Sequence, residues 1–422
     1  MIVTRPFTGG LQIKLCNMVM TKDVLYSLTK GGFAPQEEML EVARKKGKLY
    51  IGIPKEIAFQ ENRVPLVPDA VALLVNNGHR IVIETGAGKA ANFEDTDYSE
   101  AGAQVVQSVN EVYKADIIFK IAPPTLEEIE LMQHKQTLVS ALQLPVQPQD
   151  FLKKLISKKL NCVAFDLIID EAGIFPVIRA MGEIAGGTSI SIAAELLSNV
   201  NSGVGSILGG ISGISPTEVI IIGAGTVGEF AARAAIGLGA TVKVFDNSTS
   251  RLRRLQNQVG SRVFTSVIVP KVLEKHLKTA DVAIGALRAT RGRTPQVVTE
   301  AMVSEMKTGS VIIDVSIDQG GVFETSEITN HTHPVFRKHG VIHYCVPNIN
   351  SRVARTASYA LSNIFSQVLL NMGDEGGFDG IVRKDAGLRN GVYIYNGILT
   401  NQYLGETFHL PFKDINLLMA AI

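Results

Sequence analysis

The 422-residue chain contains no run of about eighteen apolar residues, which argues against a transmembrane helix. Its partly apolar start is broken by Arg5, Lys14 and paired glycines and is followed by no small-residue cleavage site, so export is not expected either. Cysteine is scarce: Cys16, Cys162 and Cys345 are far apart, odd in number and without C-x-x-C spacing. That pattern excludes a disulfide framework and fits buried thiols in a reducing cytoplasm. An excess of one charge is also missing, since 41 Lys and Arg face 40 Asp and Glu for a net charge of +1. Nothing in that balance calls for a nucleic-acid partner. Repeats and low-complexity tracts are absent, and no metal site is expected.

What is present is an apolar fraction of 46% with 39 glycines, the composition of an α/β enzyme rich in strand-to-helix turns. The length accommodates two or three domains with a core large enough to need no disulfide or metal. The most informative stretch is EVIIIGAGTVGEFAARAAIGLGATVKVFD, residues 218–246. Val219 to Ile222 read as a buried parallel strand, Gly223, Gly225 and Gly228 follow in G-x-G-x-x-G spacing, and Phe230 to Leu238 read as an Ala-rich helix. The first glycine suits a tight turn, the second a close pyrophosphate and the third close helix packing. The N–H groups of Ala224, Thr226 and Val227 stand at the helix start, where an anion is stabilised. After the strand Thr241 to Phe245, Asp246 is placed to accept ribose hydroxyls, with Asn247 and Arg251 beside it. A carboxylate there repels a 2′-phosphate and favours NAD over NADP. Arg251, Arg253 and Arg254 otherwise read as a solvated helix face.

Strand and helix patterns alternate on both sides of this unit. Strands are expected at 49–53, 80–84, 117–121, 137–142 and 162–167, and helices at 69–76, 125–132 and 150–160. Thr125 with Glu128 has capping-box spacing, and His134 reads as a cap or surface residue. A long helix over 176–197 bridges two domains; strands at 263–268, 281–287, 311–315 and 341–346 continue the second, and a helix over 352–370 returns to the first. The expected organisation is an N-terminal extension (1–47, helical from residue 21), a substrate domain (48–176), a dinucleotide domain (177–350) and a return segment (351–422) whose tail beyond 373 covers the surface or a subunit contact. The fold class is thus α/β, with two doubly wound Rossmann-like domains, the dinucleotide domain inserted into a discontinuous substrate domain.

Between Lys48 and Met372, the motifs GIPKE (52–56), ENRV (61–64), ETGAG (84–88), AGAQ (101–104), IGAGTVG (222–228), MKTGSVIIDVSIDQGG (306–321), HYCVPN (343–348) and RTASYALSN (355–363) occur in unbroken order. This set resembles the alanine dehydrogenase family and, related to it, the NAD-binding subunit of transhydrogenase. The resemblance implies NAD-dependent oxidative deamination of L-alanine, with water, to pyruvate and ammonia in a homo-oligomer, a dimer or a hexamer. It also implies that Arg63 binds the substrate carboxylate, that Asp318 lies beside nicotinamide and catalytic water, that Asn348 lies near nicotinamide and substrate, and that Ala286 and Leu287 pass under the cofactor.

Departures from the family pattern cluster in one place. Ala122 stands where the family has a lysine that holds the substrate carbonyl, Gln143 where it has the active-site histidine, and Gly182 where it has a serine near the cofactor. Arg288 replaces an apolar residue. Gln143 can hold an oxygen or water but cannot carry a proton near neutrality. Lys120, two residues before Ala122 on the same strand face, is the candidate replacement for the missing lysine. Three readings follow: an active deaminase, an NAD-binding homologue with weak or no deaminase activity, and a transhydrogenase-like subunit.

Overall fold

The computed structural model describes residues 47–58, 60–143, 149–199, 203–260, 262–288 and 293–420. The extension through residue 46, with its expected helix and Cys16, lies outside the described residues.

Two sheets carry the fold, and both arise from short apolar runs bounded by turns. In the first, six parallel strands, β1 (Tyr50–Ile53), β2 (Arg80–Glu84), β3 (Gln104–Val106), β4 (Ile117–Phe119), β5 (Thr137–Ser140) and β6 (Asn161–Ala164), lie in the order β3-β2-β1-β4-β5-β6. The second repeats the pattern with β7 (Glu218–Ile222), β8 (Thr241–Phe245), β9 (Phe264–Ser266), β10 (Val282–Gly285), β11 (Val311–Asp314) and β13 (Val341–Tyr344), ordered β9-β8-β7-β10-β11-β13, plus antiparallel β12 (Val335–Lys338) at the edge. Every position of β4, β5, β6, β10, β11 and β13 is buried, as strands covered by helices on both faces must be. In each sheet strand order reverses once, between β1 and β4 and between β7 and β10. A crevice opens at each of these two points, beyond the strand carboxyl ends.

Four helices connect and position these crevices. Helix α1 (Leu126–Leu131) starts at the expected capping box, Thr125 accepting from Glu128 N and Glu128 reaching back to Thr125 N at 2.8 Å. Helix α2 (Pro176–Leu197) buries Val177 in the first core and Ala185, Ile190, Ala193 and Leu197 in the second, so it ties the two together. It lies against α3 (Thr226–Gly237), and a Cβ on Gly186 would fall 2.5 Å from Val227 O, so only glycine permits that approach. The return helix α4 (Ala354–Asp374) packs Leu361, Phe365 and Leu369, spaced by four, on the first core, where Phe365 meets Phe119 edge to face at 4.7 Å.

Two expectations are corrected. The tail is not a surface cover: β14 (Val392–Tyr395) pairs antiparallel with β6 and carries β15 (Ile398–Leu399), and its VYIY is wholly buried. An apolar strand is the natural partner for the open edge of β6, which would otherwise expose unpaired backbone groups. Helix α3 begins at Thr226, four residues before Phe230, because Gly225 serves as its N-cap and the glycine-containing first turn shows no apolar periodicity.

Candidate active site

The crevice of the second sheet is built from backbone. Gly223 has φ +123, and a Cβ there would fall 2.2 Å from Ala286 O; one on Gly228 would fall 1.9 Å from Gly223 O. The two glycines let the loop pass between β10 and the start of α3. Gly225 differs: a Cβ would meet nothing within 4 Å, so its backbone faces open space at the head of a helix. That opening fits a pyrophosphate. Asp246 is 3% exposed, with Oδ2 accepting from Ala224 N at 2.8 Å and Oδ1 from Ser248 N at 2.7 Å, so one carboxylate braces both the loop and the turn after β8. Asn247 is exposed beside it. Arg251 and Arg254 are exposed yet turn inward: Arg251 Nη1 is 4.0 Å from Asp246 Oδ2, and Arg254 Nη2 donates to Ala224 O at 3.4 Å.

On the far side of this crevice, buried Asp314 at the end of β11 accepts from Ser316 N at 3.1 Å, Val322 N at 2.8 Å and Ser326 Oγ at 2.7 Å. These bonds fix the IDQGG turn that presents Asp318 to the cleft. Asp318 is exposed as a residue, yet desolvation by the surrounding protein pushes its carboxyl up to about 6; the Arg288 charge opposes the shift and Asp314 adds to it. Arg288 also acts on Asp166, whose carboxyl is raised by burial and which accepts from Leu142 N at 3.4 Å, beside Gln143. The unexpected arginine therefore faces an acid of each domain. Ala286 is buried and Leu287 half-buried, with Leu287 O held by Ser316 Oγ at 2.6 Å.

The crevice of the first sheet is filled with side-chain charge. The loop after β1 is strapped down by hydroxyls near and on the return helix: Ser351, Ser358 and Ser362 accept from Asn62 N, Val64 N and Val67 N at 2.7, 2.9 and 2.9 Å. Those contacts account for the serines of RTASYALSN and hold Arg63 in place. Arg63 donates from Nε and Nη2 to Glu61 at 2.7 and 2.6 Å and turns Nη1 to Met181 Sδ at 3.3 Å. Burial favours the neutral form of Glu61, but the guanidinium outweighs it and holds the carboxyl below its usual range. Gly182, next to Met181, faces the glycine loop, where a Cβ would lie 3.3 Å from Thr226 Cβ. Arg63 and the dinucleotide loop are thus joined through the first turns of α2.

Lys120 is fully buried, its ammonium 2.7 Å from Glu128 and 3.4 Å from Glu56. Its charge is committed between two carboxylates behind Arg63. Ala122 is buried as well. Gln143 is exposed at the end of β5 with φ 42, a left-handed conformation that is sparsely populated by side chains of its type. Asn348 follows β13, and its Oδ1 meets His331 Nε2 at 3.1 Å, while His331 N donates to Gln60 Oε1 at 2.7 Å. His134 binds Lys158 O at 2.7 Å on the surface.

Glu56, Glu61 and His331 were not among the residues singled out from the sequence. For the two glutamates a signal existed, since both follow a strand that flanks the reversal point; His331 lies in a polar loop with none. Among the described residues no group of side chains is arranged to hold a metal, and no helix is long and apolar enough to cross a membrane. Cys162 and Cys345 are free and buried.

Comparison with known proteins agrees with this layout. Residues 52–185 match the N-terminal domain of the alanine dehydrogenase/PNT family and residues 189–402 its C-terminal domain. An alanine dehydrogenase of Staphylococcus epidermidis is 38% identical over 369 residues, spanning 86% of this chain and 98% of the relative. The solved structure of an L-alanine dehydrogenase is 36% identical, with a TM-score of 0.80 over 85% of this chain and 99% of that one. A transhydrogenase from Sinorhizobium meliloti, 22% identical with a TM-score of 0.71 over 84% of this chain and 99% of that one, shares the fold. The cofactor of this family is NAD, which the open face at Gly225 and the carboxylate of Asp246 fit. The chain is an oxidoreductase that belongs to the alanine dehydrogenase/PNT family.

Proposed function

We propose that the protein catalyses the NAD-dependent oxidative deamination of L-alanine, with water, to pyruvate and ammonia. The observation that carries this reading is the setting of Arg63: a largely enclosed guanidinium on a loop whose backbone is strapped to the return helix, linked through Met181 and Gly182 to the glycine loop. Two of its donors are held by Glu61, and the third points at a thioether, a weak acceptor that a substrate carboxylate displaces readily. A substrate carboxylate placed there would be held end-on by Nη1 and the remaining N–H of Nη2, which fixes its orientation as well as binding it. NAD, when bound, accepts the substrate hydride. Asp318 and Asn348 order water and the substrate at the strand ends facing it, and Gln143 supplies a hydrogen bond to an oxygen. Assembly as a homo-oligomer belongs to the same reading.

Ala122 and Gln143 favour a second reading, an NAD-binding homologue with weak or no deaminase activity; a transhydrogenase-like subunit would pass hydride to a second nicotinamide instead. Absorbance of NADH, followed across a panel of L-amino acids and in reverse with 2-oxo acids plus ammonia, separates them. Turnover of alanine is the expected result. Silence across the panel by a protein that binds NAD in calorimetry overturns the deaminase reading, and hydride exchange between two nicotinamides would replace it with the third.

A further inference from the structure

Resting on the deaminase reading, we propose that Glu56 is the proton-carrying side chain of the cleft, taking and returning the protons for which positions 122 and 143 provide no titratable group. Glu56 stands three residues beyond β1, and its Oε1 accepts from Ile121 N, the backbone immediately before Ala122 beyond β4. It therefore spans the strand reversal of the first sheet, on the same loop as the carboxylate-binding Arg63 and next to the position where the family pattern has its lysine.

A count of charges places a proton there. Lys120 is one ammonium shared by two buried carboxylates, so full ionisation would leave an uncompensated negative charge away from water. Such a site takes up a proton, and the less well solvated carboxyl receives it. Glu128 is the better solvated: it accepts from Lys120 Nζ at 2.7 Å, Tyr113 Oη at 3.1 Å and Thr125 N at 2.8 Å. Glu56 has Ile121 N on Oε1, and its buried Oε2 has only the longer 3.4 Å contact to Lys120. From its own loop, Glu61 repels the ionised form of Glu56, while the Arg63 guanidinium is paired with Glu61. Burial pushes the carboxyl up to about 7, with Lys120 opposing and Glu61 and Glu128 reinforcing, which suits a group that exchanges protons near neutrality.

The chemistry balances. The substrate reacts as the free amine, its ammonium proton having been released to solvent, so hydride loss leaves an iminium; water attacks its carbon, the C–O bond forms and the water proton passes to Glu56 in its ionised form, which is populated as pH rises through neutrality. The resulting carbinolamine nitrogen takes that proton back, the C–N bond breaks and ammonia leaves with the bonding pair. The hydroxyl proton then returns to Glu56 and on to solvent, leaving the 2-oxo acid.

The test compares wild-type protein with Glu56→Gln and Glu56→Asp. Infrared difference spectra of the free protein should show a protonated-carboxyl band that fades as pH rises through neutrality and is missing from Glu56→Gln. In the alanine assay Glu56→Gln should lose at least ~100-fold in kcat with little change in KM and lose the acidic limb of its pH profile, while Glu56→Asp keeps part of the rate. No such band in the wild type, or Glu56→Gln within about twofold of wild type with the same pH profile, overturns the proposal. If Glu56→Gln no longer binds NAD in calorimetry and is misfolded, the wild-type band and Glu56→Asp decide. A wild type that binds NAD but oxidises no amino acid removes the deaminase reading and the catalytic role with it; the infrared band then decides separately whether Glu56 holds a proton.

Discussion

The two crevices of this molecule have one topology and opposite construction. At the reversal of the second sheet, side chains are removed: three glycines and Ala286 bring backbone to backbone and leave an open face at a helix head. At the reversal of the first, side chains crowd in, with Glu56, Glu61, Arg63, Lys120 and Glu128 forming linked ion pairs that are almost wholly buried. Backbone recognition tolerates little change in sequence, because a Cβ on Gly223 or Gly228 collides with neighbouring backbone. A network of side chains can lose one member and redistribute charge among the rest. The dinucleotide loop is therefore the less tolerant of the two sites to substitution.

The largest test of that contrast is Gly228→Val. Its side chain would enter the space 1.9 Å from Gly223 O, so calorimetry should detect no NAD binding and thermal denaturation should show a loss of ~3 kcal/mol or more. Lys120→Met probes the other crevice at similar cost, about 3–5 kcal/mol in urea denaturation, because two carboxylates are left buried without a cation. Adding Glu56→Gln should restore part of that loss; full additivity would break the view of the network as one unit. Arg63→Lys keeps the charge but loses the fork, so KM for alanine should rise on the order of tenfold or more while NAD affinity stays unchanged.

The smallest effect is one of pH. Glu56 and Asp318 have folded-state carboxyls raised to about 7 and about 6, above their ordinary values of 4.5 and 3.8. Between those limits the folded protein holds protons that the unfolded chain has released, so stability falls as pH rises from about 4 to about 7. Glu56→Gln should flatten the upper part of that slope in denaturation curves collected across the range. An unchanged slope would mean that Glu56 is ionised in the folded protein.

Much of this was legible in the chain itself. The run VIII before GAGTVG, the strand TVKVF and Asp246 have local causes: buried strand periodicity, glycine spacing and a carboxylate at a set distance. The helix 176–197 and the capping box at Thr125 are likewise properties of neighbouring residues. What was not legible depended on partners far along the chain. VYIY near the C-terminus is a core strand because β6, more than two hundred residues earlier, leaves an open edge. Short edge strands such as Gln104–Val106 and Val335–Lys338 carry too few apolar residues to be read alone.

The site divides along the same line. Local sequence determined the dinucleotide loop, because its chemistry is backbone geometry and glycine spacing encodes it directly. Arg63, Asp318 and Asn348 were pointed to by the family resemblance of their motifs, not by local geometry. Only the tertiary structure decided the fate of charge: Lys120, expected on one strand face with Ala122, lies just beyond β4 and is committed to Glu128 and Glu56. Spacing along a strand gives the direction of a side chain, whereas ion pairing depends on which distant carboxylate the fold packs against it. Ionisation depends further on the water that the fold removes, and that is why Glu56, an ordinary glutamate in the sequence, becomes the group on which the proposed chemistry turns.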